Sequence, residues 1–143
     1  MRAFVCLERP LSVNARNTER FQVKLKTAYR LAYPEEDGFW GDIDLYGIVY
    51  YFHRQRSHLD ADNLSKPVWD ALRGAGYMDD NAIKLRMAGI IQLGDSELPD
   101  FDLSGVPVSV ARDLLEVMFK EQHILYVEFG PLASNMFRLG LMV

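Results

Sequence analysis

Ile43-Asp44-Leu45-Tyr46-Gly47-Ile48-Val49-Tyr50-Tyr51-Phe52-His53 is rich in β-branched and aromatic residues and almost free of charge. Such a run reads as a strand apolar on both faces, which belongs at the centre of a sheet covered on both sides. Before it, Asn17 or Thr18 can cap a helix running to about Ala32, with Phe21, Leu25, Ala28, Tyr29 and Ala32 at helical spacing. Phe4 to Leu7 is a short strand closed by Arg9-Pro10. After it, residues 54–63 are too polar for a core element. A helix is expected from about Leu64 or Ser65, because Pro67 fits a helix only in its first turn. Its apolar face is Leu64, Val68, Leu72 and Ala75, and Gly74 to Gly76 end it. Ala82 to Leu93 reads as a second long strand, Val108 to Glu121 as a helix, and His123 to Phe129 as a last strand. The sum is one α+β domain over residues 1–143, two or three helices against a small mixed sheet.

The densest chemistry lies between those elements. Asp60 and Asp62 flank one residue, and in extended backbone side chains at i and i+2 share a side. Asp79-Asp80 follows the helix, which spans about 15 Å at 1.5 Å per residue. The chain from Ala75 to Met78 must therefore double back to bring that pair beside Asp60 and Asp62. Carboxylates without cysteine or clustered histidine select a hard cation, Mg²⁺ or Mn²⁺, over zinc. One or two such ions, held by three or four carboxylates, can activate water and stabilise the leaving oxygen of a phosphodiester. Lys66, one turn past Asp62, can neutralise charge on the scissile phosphate. Spacing alone favours an acidic stretch that caps a helix and forms a turn. A calcium loop is excluded, since counting from Asp60 it needs Gly at 65 and Glu at 71, where the chain has Ser65 and Ala71.

The run Asp60-Ala61-Asp62-Asn63-Leu64-Ser65-Lys66, the following Asp70-Ala71-Leu72, the bend at Gly74-Ala75-Gly76-Tyr77 and the pair Asp79-Asp80 together resemble RusA-type Holliday junction resolvases. Pro10-Leu11-Ser12-Val13-Asn14 is similar to that family's N-terminal P-x-S-x-N stretch. The resemblance implies that Asp60, Asp62 and Asp80 are metal-binding catalytic aspartates, Asp79 an adjacent acid and Lys66 a functional lysine. It also implies a homodimer that nicks four-way DNA junctions. Pro67 and the acidic 95–121 segment depart from the family pattern. The competing readings are a metal-dependent nuclease for flaps, single strands or RNA, and a catalytically weak DNA-binding protein that keeps the fold. Retention of all four acids and the lysine favours an enzyme.

Composition sets the outer bounds. Hydrophobic residues make up 49% and charged residues 25%, which is ordinary for a globular domain and excludes disordered and fibrous classes. No apolar run approaches the ~20 residues of a membrane helix. The apolar start of the chain breaks at Glu8-Arg9, too soon for a signal peptide. The single Cys6 fits a reducing cytoplasm and reads as a buried thiol. Net charge is −4, yet the first thirty residues carry seven Lys/Arg against Glu8 and Glu19. Arg16, Arg20, Lys24, Arg54 and Arg56 are therefore the expected phosphate contacts, with the 95–121 segment turned away. His53 and His58 are expected beside the site but not as ligands, Asp42 and Asp44 as a solvated strand edge, and Trp40 and Trp69 as core or interface. Apolar residues of 132–143 are candidates for a dimer interface.

Overall fold

The computed structural model describes residues 1–11, 16–35, 38–55, 58–94 and 99–141. Strand β1 (Arg2–Cys6) leads to helix α1 (Thr18–Ala32), strand β2 (Leu45–His53), helix α2 (Ala61–Leu72) and strand β3 (Ile83–Gln92). Helix α3 (Val108–Met118) and strand β4 (His123–Pro131) follow, with 3₁₀ turns at Asp80–Ala82 and Ser134–Met136. The four strands lie in the order β1-β4-β2-β3; β2 and β3 are parallel and the other pairs antiparallel. The sheet is therefore mixed, and the fold is α+β. β2 is an inner strand, and its burial from Leu45 to His53 agrees with a run apolar on both faces.

One face of the sheet packs against α1 and α2. Phe21, Leu25 and Tyr29 from α1 and Leu64, Val68, Trp69 and Leu72 from α2 meet Leu45, Val49, Tyr51, Val127 and Phe129. Gly47 exists in β2 because Trp69 lies on it: a Cβ there would stand 2.7 Å from the indole. Both Trp69 and Cys6 are buried, and burial pushes the Cys6 thiol up to about 11, so it is an unreactive core group. The other face packs against α3 through Val110, Leu114 and Met118, with Phe101, Leu103 and Val106 beside them. Residues 99–106 thus lie on the core as well as at the surface.

The helix containing the acidic motif begins earlier than Leu64. Asp60 is its N-cap, and Leu64 N–H already donates to the Asp60 carbonyl at 3.0 Å. Pro67 consequently sits mid-helix rather than in the first turn. Its ring is buried, and its carbonyl accepts from Gln22 Nε2 at 3.0 Å. Tertiary packing onto α1 has outweighed the usual preference of proline for a helix start. Helix α3 stops at Met118, short of Glu121, because Lys120 and Glu121 N–H both turn back to the Val117 carbonyl and direct the chain into β4. Among the described residues no helix is long and apolar enough to cross a membrane.

Candidate functional site

Asp60 is held by the helix it starts. Its Oδ1 accepts from Asn63 N–H at 2.8 Å and its Oδ2 from Asn63 Nδ2 at 3.2 Å. The capping reading of this acid is therefore correct as local structure. Asp62 lies in the first turn of α2, not in extended backbone, and the i, i+2 argument for a shared side does not apply. Among the described residues its carboxylate makes no hydrogen bond or ion pair. It lines an open cleft of about 460 Å³ together with Ala61, Ser65, Lys66, Arg86 and Ala88. Lys66 is also tied to Asp70 at 3.4 Å, the (i, i+4) pair that the spacing allows.

The return of the chain toward this cleft depends on the glycine bend. Gly74 has φ +82, a backbone that residues with a Cβ rarely adopt, and its N–H donates to the Tyr77 carbonyl at 2.7 Å. Gly76 lies on the Phe129 ring, where a Cβ would come within 2.5 Å. Tyr77 is buried and donates its hydroxyl to the Trp69 carbonyl at 2.5 Å, pinning the bend beneath α2. Burial, and then the nearby Asp80 charge, pushes the Tyr77 phenol far above its ordinary value, so it remains a donor.

Beyond the bend the two neighbouring aspartates diverge. Asp79 caps the 3₁₀ turn, its Oδ1 accepting from Asn81 N–H at 3.1 Å. It lines a different, small cleft with Asp42, Asp44 and Lys84. Asp80 instead turns to Arg86, whose Nη2 donates to the Asp80 carbonyl at 2.8 Å and to its Oδ2 at 3.3 Å. The structure thus joins Asp62, Lys66, Arg86 and, through Arg86, Asp80 at one cleft. Asp60 caps the helix whose first residues line it, and Asp79 lines the other cleft. Among the described residues no three His, Cys, Asp or Glu side chains stand close enough to hold a metal ion. The donors are nonetheless carboxylates alone, which in kind fit a hard divalent cation.

Arg86 was not evident from sequence, for a definable reason. Its neighbours Ile83, Leu85, Met87 and Ile91 imply simple alternation, but the β2–β3 register shifts between Leu45 and Tyr46. Leu45 pairs with Ile83 while Tyr46 pairs with Leu85, leaving Lys84 as an extra residue. This bulge puts Arg86 opposite Gly47 and turns it to the face that α2 covers. No local residue pattern announces such a bulge.

The expected phosphate contacts separate similarly. Arg16 and Arg20 are exposed at the start of α1; Lys24 is exposed and paired with Glu8 at 3.3 Å. Arg54 is a structural clamp, donating to the Met118 carbonyl and to the Gly94 carbonyl at 3.1 Å. Arg56 lies outside the described residues, as do Ser12, Val13 and Asn14. His53, expected beside the site, is buried with Nδ1 against the Gln55 carbonyl. His58 is exposed. Trp40 is half-exposed, and Asp42 and Asp44 are solvated as expected.

A mixed sheet carries a polar cleft in which one carboxylate, Asp62, and the Ser65 hydroxyl stand with a lysine and an arginine. Residues 9–95, more than half of the chain, match the family described as Endodeoxyribonuclease RusA. The chain belongs to that family, one of endodeoxyribonucleases that act on DNA junctions. No match appears among curated proteins.

Proposed function

We propose that this chain is a divalent-cation-dependent endodeoxyribonuclease that nicks four-way or related branched DNA as a homodimer. The single observation that carries the proposal is the cleft where Asp62, without a hydrogen bond or ion pair among the described residues, lies with Lys66 and with Arg86, which in turn pairs with Asp80. Asp60, Asp62 and Asp80 would supply carboxylates to Mg²⁺ or Mn²⁺ only by drawing closer than they stand here, with Asp79 as a flanking acid. Such an ion, when bound, supplies an activated water and a stabilised leaving oxygen. Lys66, exposed over most of its side chain, sets a positive charge at the cleft wall where a phosphate would enter. Asp70 holds that ammonium on its helix and limits how far it can wander. Arg16 and Arg20 would add phosphate contacts along the duplex.

A junction offers two equivalent strands, so paired nicking needs two copies of the cleft related by a two-fold axis. Exposure of Phe137, Leu139 and Leu141 in the C-terminal segment supports an apolar contact between copies. The test is cleavage of a synthetic four-way junction beside matched duplex, flap and single strand, with and without Mg²⁺. Paired cuts in the junction, dependent on the ion, from a species of about twice 16.4 kDa in sedimentation, are expected. Preference for flap, single strand or RNA would replace the junction reading. A strict monomer that still cuts junctions would remove the dimer.

A further inference from the structure

We propose that the free edge of β3 is where a second copy of this chain docks, its own β3 pairing antiparallel so that the two sheets become one. The inference rests on the homodimer reading above and names the surface that such a dimer uses. The sheet has two edge strands, β1 and β3, and they are finished differently. On β1, Ala3 N–H donates to Tyr33 Oη at 3.0 Å, and that hydroxyl donates to the Ala3 carbonyl at 2.9 Å. The same edge lies in a groove between α1 and α3, lined by Leu31, Ala32, Ser109 and Asp113. A further strand is thus kept off β1. On β3, among the described residues, no hydrogen bond reaches the outward backbone from Leu85 to Gln92. An open edge of that length is a template for another strand.

The sequence of β3 fits a second copy of itself. Centred on Ala88, an antiparallel pair uses residues 84–92 of both copies. Leu85 then stands opposite Ile91 of the second copy and Met87 opposite its Gly89, large against small. Lys84 falls opposite Gln92 and Arg86 opposite Ile90, so no like charges meet. Helix α3 packs over β1 and β4, which leaves Leu85 partly exposed and Met87 43% exposed beside the open edge. Pairing extends that apolar row across the axis. Lys84, of the residue type that commonly guards an edge, lines the Asp79 cleft instead. The two-fold axis of such a pair is perpendicular to the sheet, so α2 of both copies lies on one side. Ala88 lines the Asp62 cleft, and residues directly opposite in a pair stand about 4.5–5.5 Å apart. The two clefts therefore open side by side on one surface, as paired cuts in one junction require.

The experiment is sedimentation of the full-length wild type, Met87→Asp and Leu139→Asp, together with mild oxidation of Ala88→Cys. Wild type should sediment at about twice 16.4 kDa. Met87→Asp sets two carboxylates beside the axis and should raise the dimer dissociation constant about a hundredfold or more. Its far-ultraviolet circular dichroism should match wild type, because the side chain it replaces is already exposed. Leu139→Asp, in the C-terminal segment, should remain dimeric. Ala88→Cys should yield a covalent dimer, whereas wild type, whose Cys6 is buried, should not. A dimer that survives Met87→Asp and dissociates in Leu139→Asp, with no cross-link through Ala88→Cys, would overturn the β3 edge and leave the homodimer standing. A wild type that is monomeric at every concentration would overturn both.

Discussion

The two faces of the sheet are built from different kinds of sequence. On one, α1 and α2 join a tightly closed apolar layer to a polar cleft, and both helices lie inside the matched residues 9–95. On the other, α3 and residues 99–106 close a smaller apolar cluster, and both lie beyond that match. This second face also carries a polar network, with Glu128 accepting from Tyr46 at 2.6 Å and from Tyr126 at 2.5 Å. Burial pushes both phenols up, and the shared carboxylate adds to it, so they stay donors. The candidate site thus lies on one layer, and the described residues of the opposite layer complete the core. Substitutions on the two faces should therefore fail in different ways.

The largest effect belongs to the cleft. Asp62→Asn should reduce cleavage by at least about a hundredfold while leaving stability within about 0.5 kcal/mol of wild type. Asp62 has no protein partner among the described residues, so its amide replaces nothing structural. Ordinary cleavage by this variant would remove Asp62 from the site. Leu114→Ala is the counterpart on the opposite face. It should cost about 2–5 kcal/mol in denaturant unfolding, with the folded fraction cutting DNA at the wild-type rate. A proportionate loss of activity per folded molecule would show that the layers are coupled.

A smaller effect is expected where the two properties meet. Gly76→Ala forces a methyl against the Phe129 ring and should cost about 1–3 kcal/mol. The bend also delivers Asp80, so this variant should lose activity as well as stability. Undiminished cleavage would mean that the cleft tolerates movement of the bend. The smallest effect concerns His123, whose Nδ1 faces Tyr51 Oη at 2.6 Å. Burial, then the positive charge of Arg9 and of His53, lowers its pKa below the usual histidine value. The fold thus favours neutral His123, and its contribution is present above the usual histidine pKa and lost as pH falls through the lowered one. The melting temperature of wild type should drop more than that of His123→Gln between pH 7.5 and 5.5. Parallel curves would show that the ring's charge is not coupled to folding.

What the sequence made legible follows the same division. Helix α1 runs from Thr18 to Ala32 as its periodicity implies, and β2 lies inside the sheet as its two apolar faces require. Both depend on local patterns repeated over several residues. The start of α2 was misplaced because the expectation weighed Pro67 against the local helix rule and could not see the α1 contact that overrides it. Asp79 and Asp80 were paired by adjacency, although a turn between extended and 3₁₀ backbone sends Asp79 to one cleft and Asp80 to Arg86, which lines the other. Arg86 depends on one extra residue in a register between strands more than thirty positions apart, which no short window contains.

Pro67 divides α2 in a way that bears on its acidic end. Seen as a ladder, the helix has a missing rung: proline offers no N–H, so the Asn63 carbonyl lacks its usual (i+4) donor. Three rungs, from Leu64, Ser65 and Lys66 back to residues 60–62, are all that the helical pattern leaves on the N-terminal side of the gap. Below the gap, Val68, Trp69 and Leu72 are anchored in the core. The first turn is therefore a short cooperative segment attached to a long one, and the amides of 64–66 should exchange with solvent sooner than those of 68–72. Leu64 is the one core anchor of that turn, so if the exchange order holds, Asp60 and Asp62 re-aim by unlatching a single side chain while the rest of the helix stays shut.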